Sequence, residues 1–438
     1  MIKKTYLVLL LFFICVLNGY SQIVVTNSLE RALIGSKCSY LITSKETSFR
    51  KVKSATNFKL GSGNVPNLGV HEQSIWIKVS VSNTTSNPNL FLELAYPILD
   101  VVEFWAPIGN GIYQSKVLGE SIPFNKRKYK QPNFIYDLTI PKGVTCTYFI
   151  RVKSVEQIIL PLYLSRSTPT WQHISEDTAI NGIYLGIVLI MFLYNLFVFF
   201  AVRDKSYLYY VFYIALVGLT QLGIKGYTFQ YLWPENPEFA LKSVIILAAL
   251  SGIGALFVTK SFLHTKANNP KLHIVLLVLA GLFAVAIAVT VFGAELLGFT
   301  IMQIVTSITT LFILVISFMI MIKGYKPAVF FFSAWSILVA GAVVFLLKDY
   351  NIFPYNTFTS YSMQAASAIE MALLSFGLAD RINTLKKEKE ASQAQSLLIA
   401  KENERIIREQ NEILEGKVHE RTVELIASND ELHKTLID

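Results

Sequence analysis

Charged residues are scarce in this 438-residue chain. Asp, Glu, Lys and Arg make up 16% of it, against about 25% in an average soluble domain. Residues 180–378 have few of them and residues 381–438 have many, so the composition excludes an ordinary soluble protein. The net charge is +9, but no basic patch is interleaved with aromatic side chains. Most of the positive excess flanks apolar runs, which is typical of cytoplasmic membrane edges. The sequence therefore predicts no nucleic-acid partner.

Metal ligands and catalytic motifs are also scarce. The histidines all lie outside the cores of the apolar runs: His71, His173, His264, His273, His419 and His433. No spacing suits a metal site, and no serine elbow or phosphate-binding loop is present. The sequence therefore predicts a protein that is not an enzyme and has no cofactor, metal or catalytic residue. Only Cys38 and Cys146 lie beyond the first residues. A disulfide between them is chemically allowed outside the cytoplasm, and the sequence leaves the pairing open.

Long apolar runs dominate the second half of the chain. There are seven: Ile180–Val202, Tyr207–Ile224, Leu241–Leu263, Leu272–Phe292, Leu296–Ile322, Ala328–Leu347 and Thr357–Leu378. A helix of about 20 apolar residues crosses a bilayer, and runs this long are helical because barrel strands alternate over about ten residues. We predict a seven-helix transmembrane domain over residues 179–380.

The N-terminal part has two different patterns. Residues 1–21 have two lysines, an apolar centre and small residues at the end, which is typical of a signal peptide. In residues 23–166, alternation is common, as in Ser74–Asn83, and turn signals separate short strand-like runs. This pattern predicts an all-β sandwich or jelly roll outside the cytoplasm. Residues 167–178 are expected to link it to the first span.

Loop charge gives the orientation. If a signal peptide exports the N-terminus, the loops expected on the cytoplasmic side contain more Lys and Arg than the outer ones, including Arg203, Lys266 and Lys323. An odd number of spans then puts the C-terminus in the cytoplasm. The predicted location is the inner, cytoplasmic membrane, with multiple crossings and the β domain outside.

Glu370 is the one carboxylate well inside a predicted span. A charge there is costly, about 2.5–3.5 kcal/mol on insertion scales. We expect Glu370 to face the bundle interior, protonated or near a polar group such as Asn195, Gln221 or Gln303. A packing or switching role is favoured over transport, because a proton relay requires more such groups.

Residues 381–438 are dense in Glu, Lys, Arg and Gln, and Ile399, Ile406 and Ile413 recur every seven residues. This spacing favours a parallel two-stranded coiled coil and hence a homodimer. A solvated single helix is the alternative interpretation.

Several motifs, taken in order, resemble one bacterial family. They are Trp76-Ile77-Lys78, Leu92-Glu93-Leu94, Tyr148-Phe149-Ile150-Arg151-Val152, Tyr194-Asn195, Arg203-Asp204 and Glu370-Met371-Ala372-Leu373-Leu374-Ser375-Phe376-Gly377. The chain resembles the seven-transmembrane receptors with diverse intracellular signalling modules. The resemblance implies an exported sensor domain similar to carbohydrate-binding jelly rolls, seven spans and a cytoplasmic output. No kinase-like phosphoacceptor or nucleotide-binding box follows the coil, so we expect the output module to be absent or supplied by a cytoplasmic signalling partner.

The resulting prediction is a transmembrane signalling receptor that senses a small molecule or glycan outside the cytoplasm. Trp76 and Trp105 are candidates to stack on a sugar ring, with a core role as the alternative. Arg151 is a candidate ligand contact, with a structural ion pair as the alternative. Two other functions are weighed against the receptor. One is a transporter or channel, suggested by Glu370 and Asn195, and the other is a membrane-tethered scaffold that recruits a separate kinase or regulator.

Overall fold

The structure is a computed structural model that describes residues 22–44, 47–268 and 270–435. The predicted signal peptide, residues 1–21, lies outside the described residues. The chain divides into two compact units, one ending at Gly377 and the other beginning at Leu378.

The first unit begins with a β domain of three sheets. The strands are β1 Gln22–Val25, β2 Arg31–Leu33, β3 Ser39–Thr43, β4 Lys59–Leu60, β5 Asn67–Gly69, β6 Ser74–Asn83, β7 Asn89–Leu94, β8 Val101–Gly109, β9 Ile112–Leu118, β10 Phe134–Thr139, β11 Thr145–Lys153, β12 Ile158–Ile159 and β13 Leu162–Ser165. The largest sheet has the order β4-β3-β6-β11-β8-β9, with β1 parallel to β6, and the second has the order β10-β7-β13-β2. Strands β5 and β12 form the third. A short helix, Phe49–Lys53, follows β3.

The core of the β domain lies between the two larger sheets. Along β6, Ile75, Ile77, Val79 and Val81 alternate with other residues and are fully buried. In β7, every second residue, including Leu92, belongs to the same core. Side chains of a strand point to opposite faces in turn, so this alternation brings one face of each sheet into contact. The predicted β-sandwich is confirmed.

Seven long apolar helices follow in the described residues. They are α1 Ser167–Val202, α2 Lys205–Ile224, α3 Pro237–Phe262, α4 Pro270–Val291, α5 Glu295–Ile322, α6 Pro327–Asp349 and α7 Thr357–Thr435. Short helices, Tyr227–Tyr231 and Thr265–Asn268, precede α3 and α4. All seven predicted spans are helical. Residues 167–178, expected to be a linker, form the start of α1. Pro169 lies in the first turn, where proline is tolerated.

The β domain lies against one end of the helices. Asn351 Nδ2, just beyond α6, donates to Val65 O at 2.7 Å, and Asn67 Nδ2 donates to Asp349 O at 3.2 Å. At Gly226, φ is +77°, and an added Cβ would lie 2.7 Å from Pro97 Cβ. Glycine is therefore needed both for its backbone conformation and for this close approach.

The second unit consists of the later part of α7, from Leu378 onward. Ile399, Ile406 and Ile413 are all exposed there. An exposed apolar side chain every seven residues fits a helix that pairs with another. The coiled coil remains a prediction.

Candidate functional site

A cavity of about 380 Å³ lies where the β domain meets the ends of the helices. We call it the junction cavity. Its lining includes Arg31 and Tyr163 of the β domain, His173 and Asp177 of α1, Lys225 after α2, and Tyr361 of α7. Both parts of the first unit therefore contribute to its wall, and a molecule bound there would contact both.

The β-domain wall is built around a buried ion pair. Arg31 Nη2 lies 3.1 Å from Glu93 Oε2, and its guanidinium stacks 3.3 Å above the centre of the Tyr163 ring. Asn133 Nδ2 donates to the other Glu93 oxygen at 2.8 Å. These contacts fix the guanidinium in place. Its Nε is buried and has no hydrogen-bond partner among the described residues.

The helix wall contains a cation that forms no ion pair with the described residues. Lys225 Nζ lies 4.4 Å from the centre of the Tyr361 ring. Within the described part of the chain, no carboxylate lies within 4.0 Å of it. The Tyr361 hydroxyl donates instead to Asp177 Oδ1. Lys225 therefore has no direct counterion among the described residues, although the charges of Asp177 and Asp349 act on it from further away.

Beyond the cavity, polar side chains join α1 to α7 at three neighbouring turns and once more about three turns further along. We call these contacts the polar ladder. Its members are Asp177 with Tyr361, Asn181 Oδ1 with Gln364 Nε2 at 3.0 Å, Tyr184 Oη with Ser367 Oγ at 3.0 Å, and Asn195 Oδ1 with Ser375 Oγ at 3.1 Å. The partners on each helix recur at intervals that bring them to one face. The ladder begins in the cavity wall and extends along most of the shared length of the two helices.

Glu370 lies beside the ladder and is fully buried. Its Oε1 accepts a 2.9 Å hydrogen bond from Tyr213 of α2, and its Oε2 has no partner among the described residues. The partner is therefore neither Asn195, Gln221 nor Gln303, the amides considered from the sequence. Asn195 is buried and accepts from Ser375 instead.

A second group of buried acids lies in the β domain. Burial raises the pKa of Asp100 to about 6, although Val155 N and Ser154 Oγ donate to its carboxylate. Burial, with the nearby Asp100 charge, raises the pKa of Glu156 to about 8. Burial also raises the pKa of Glu120 well above its usual value, and the charges of Glu156 and Asp100 add to this. These groups make the β domain sensitive to pH.

The aromatic candidates for sugar binding lie elsewhere, on the outer face of the large sheet. Trp76 is fully buried in a cluster with Phe149, and the ring of Phe49 stacks on Trp105 with centroids 4.0 Å apart. Arg151 Nε lies 2.8 Å from Glu103 Oε2. The helix Phe49–Lys53 contributes side chains that cover this cluster. The structure thus brings the three candidates together but away from the junction cavity.

Sequence reasoning missed most of the junction. Lys225 had the signal of an ordinary lysine at a membrane edge, and Asp177 lay in the expected linker. The ladder residues Asn181, Tyr184 and Gln364 were visible as polar positions, but their pairing depends on which helices are neighbours. Cys38 and Cys146 are both free thiols in the structure.

Comparison with known proteins covers both parts of the first unit. Residues 177–381 match the family model described as "7TM diverse intracellular signalling", and residues 35–166 match "7TMR-DISM extracellular 2". No curated protein matches the chain. The two models describe the membrane and extracellular parts of one receptor architecture, in the order found here. The chain is therefore a multi-pass membrane protein with an extracellular N-terminal domain, and it belongs to the seven-transmembrane receptors with diverse intracellular signalling modules.

Proposed function

We propose that this receptor binds a ligand in the junction cavity and responds by shifting α7 relative to α1. The observation that carries the proposal is the polar ladder, which starts at Tyr361 in the cavity wall and continues to Ser375. A ligand that contacts Lys225 or displaces Tyr361 changes the first contact of this ladder. It can shift the packing only by its different affinity for the two arrangements.

The signal then passes along one continuous helix. Because α7 extends from Thr357 to Thr435, a rotation or shift of its first turns is transmitted to residues 381–438. We place those residues in the cytoplasm, on the basis of the excess of Lys and Arg in the loops of that side. They pair with a second copy through Ile399, Ile406 and Ile413, and engage a cytoplasmic signalling partner.

A carbohydrate at the aromatic cluster is a second ligand hypothesis. Trp76 and Trp105 have the rings that sugars stack on, and Arg151 lies next to Trp76, with its guanidinium carbon 5.8 Å from the centre of the ring. Access requires the helix Phe49–Lys53 to move away, since Phe49 covers both tryptophans. The test is a glycan array probed with the full chain in nanodiscs. Binding that Trp105→Ala abolishes supports the carbohydrate, and a silent array refutes it.

Cysteine crosslinking tests the transmission without any ligand. Single cysteines replace Ile399, Ile406 or Ile413 in a background without the native cysteines, and disulfide yields are measured in membranes. Gln364→Ala removes one hydrogen bond of the polar ladder and is expected to change the relative disulfide yields of the three positions. Ser336→Ala, which removes only a hydrogen bond within α6, is the matched control.

Each outcome of the crosslinking decides one claim. If Gln364→Ala leaves the crosslinking yields as in the wild type, the polar ladder does not transmit a conformational change to residues 381–438. If none of the three positions crosslinks, the pairing of the coil is wrong. If a membrane-impermeant thiol reagent labels the cysteine at position 399 in intact cells, the placement in the cytoplasm is wrong.

A further inference from the structure

A groove between α1 and α2 adjoins the junction cavity. It consists of two apolar cavities of about 430 and 220 Å³ that share Leu185, Leu219 and Leu222. They therefore form one continuous depression, which we call the α1–α2 groove. Leu185 and Leu189 in its wall are 38% and 50% exposed. In a membrane, this face is open to the lipid.

The groove has the depth of one membrane leaflet. On α1 its lining extends from Thr178 to Phe192, which is about 21 Å at 1.5 Å per residue. Half of a bilayer about 40–45 Å thick, headgroup regions included, is about 20–22 Å. Gly182 lies in the upper part, and a Cβ added there would have no atom within 4 Å. The groove therefore offers room for an acyl chain that runs from the membrane surface towards the bilayer centre.

The upper end of the groove meets the helix wall of the junction cavity. Thr178 lines the groove and Asp177 lines the cavity, and Tyr227 of the groove lies two residues after Lys225 of the cavity. The Tyr227 hydroxyl also lies 3.5 Å from Thr178 Oγ1. Lys225 thus lies next to the upper end of the groove, where an acyl chain would enter.

We propose that the α1–α2 groove and the junction cavity together bind one anionic phospholipid of the outer leaflet. The acyl chain fills the groove, and the phosphate lies beside Lys225. Lysine binds phosphate as a point charge. In the opposite wall, Arg31 is paired with Glu93, but its buried Nε has no hydrogen-bond partner among the described residues. The proposal rests on the proposed role of the junction cavity as the ligand site, and it names the class of ligand.

Native mass spectrometry of the full chain tests this directly. The protein is released from nanodiscs that contain phosphatidylglycerol or phosphatidylethanolamine, and retained lipids are counted. We expect one phosphatidylglycerol to be retained in preference. Lys225→Met is expected to lower this preference about tenfold, the effect of losing one hydrogen bond to a charged group. Gly182→Leu fills the groove and is expected to remove retention of both lipids.

Two control variants separate effects at the proposed lipid site from general effects of removing a lysine or adding a leucine. Lys126→Met removes an exposed lysine outside the cavity. Gly281→Leu adds the same side chain at another exposed helix glycine with open space around it. Both are expected to retain lipid as the wild type does. Equal retention of the two lipids by the wild type, or undiminished retention by Gly182→Leu, would overturn the proposal. Displacement of the lipid by soluble glycerol phosphate alone would also overturn it, because the acyl chain would then contribute nothing.

The coil crosslinking described above, repeated in the same nanodiscs, separates this proposal from the receptor function. If phosphatidylglycerol is retained but the crosslinks at Ile399, Ile406 and Ile413 do not change with lipid, the lipid site stands and the signalling role fails. If the lipid is not retained but Gln364→Ala still alters the crosslinks, the proposed lipid site is wrong, whereas the proposed transmission through the polar ladder is supported.

Discussion

The hydroxyl of Tyr213 on α2 donates a hydrogen bond of 2.9 Å to Oε1 of Glu370 on α7. Both side chains are buried in the bundle, so this bond ties α2 to the helix that also forms the polar ladder with α1. Three membrane helices are thereby joined by buried polar contacts. Such contacts hold helices together in lipid, where apolar packing gives little preference for one neighbour over another.

Removing the Tyr213 hydroxyl is therefore expected to weaken the bundle. Tyr213→Phe should lower the free energy of unfolding by about 0.6–1.7 kcal/mol, the interval between the average and the largest value measured for such bonds in membranes. Glu370→Gln keeps an acceptor at Oε1 and should cost less. Equilibrium unfolding in mixed micelles measures both. Tyr209→Phe is the control, because no hydrogen bond of the Tyr209 hydroxyl is found among the described residues; an equal loss there would contradict the role of Tyr213.

Glu370→Gln also separates the receptor from the transporter. If Glu370 served transport, this substitution would abolish flux in liposomes. We expect instead no protein-dependent flux of protons in either the wild type or Glu370→Gln. Flux in the wild type that disappears in the variant would favour the transporter.

The two residues of each hydrogen bond in the polar ladder should be energetically coupled to each other. A double-mutant cycle of Asn181→Ala and Gln364→Ala is expected to give a coupling free energy of about 0.6 kcal/mol, the average for hydrogen bonds between membrane helices. Asn181→Ala with Ser375→Ala, which lies at the other end of the ladder, should be additive within about 0.5 kcal/mol. Unfolding free energies of the single and double variants decide this. Additivity in the first cycle would show that the pair does not interact.

The β domain is expected to lose stability as the pH rises. The folded-state pKa of Asp100 is raised to about 6 and that of Glu156 to about 8. Between the unfolded-state values near 4 and these values, the folded state binds more protons than the unfolded state. The free energy of unfolding should therefore fall between about pH 4 and pH 8, by at most about 1.4 kcal/mol per pH unit and group.

Thermal unfolding of the full chain at several pH values checks this prediction. Glu156→Gln removes the group with the higher of these two values and should flatten the fall between pH 6 and pH 8. His71→Gln, which replaces a histidine outside the acid group, should leave it unchanged. A stability that rises with pH over this range, or an unchanged slope in Glu156→Gln, would contradict the assignment.

Gly226 is expected to be irreplaceable at the junction. Alanine there would have to adopt φ near +77°, and its Cβ would approach Pro97 and Pro132. The left-handed conformation alone costs about 1–2 kcal/mol. Gly226→Ala should therefore loosen the β domain from the helices and raise the rate of limited proteolysis at their boundary. Gly182→Ala, in open space, is the control, and equal rates in both variants would contradict the prediction.

The spans and the sandwich were predictable because each has a strong local signal. The length of the apolar runs predicted the helices, and the alternation of Ile75 with Ile77 predicted the inner face of β6. Trp76 shows the limit of this reasoning. It points to the other face of β6, which alternation alone would leave open to solvent, but Phe49 of the short helix Phe49–Lys53 covers it.

The junction cavity was not predictable for a related reason. Its lining comes from stretches as far apart as Arg31, Asp177, Lys225 and Tyr361, and no periodicity connects them. Glu370 was identified because a carboxylate in a span is rare. Its partner Tyr213 was not, because tyrosine is common in spans and only the helix arrangement brings the two together.

The most direct test of lipid-dependent signalling measures the distance between α7 and α1. Spin labels are attached at Phe197→Cys and Phe376→Cys, two exposed positions on these helices, in a background without the native cysteines. Distances are measured by pulsed electron paramagnetic resonance in nanodiscs with phosphatidylglycerol or phosphatidylethanolamine. We expect the distance distribution to differ between the two lipids, and we expect Lys225→Met to remove this difference. Identical distributions in the two lipids for the wild type would contradict it.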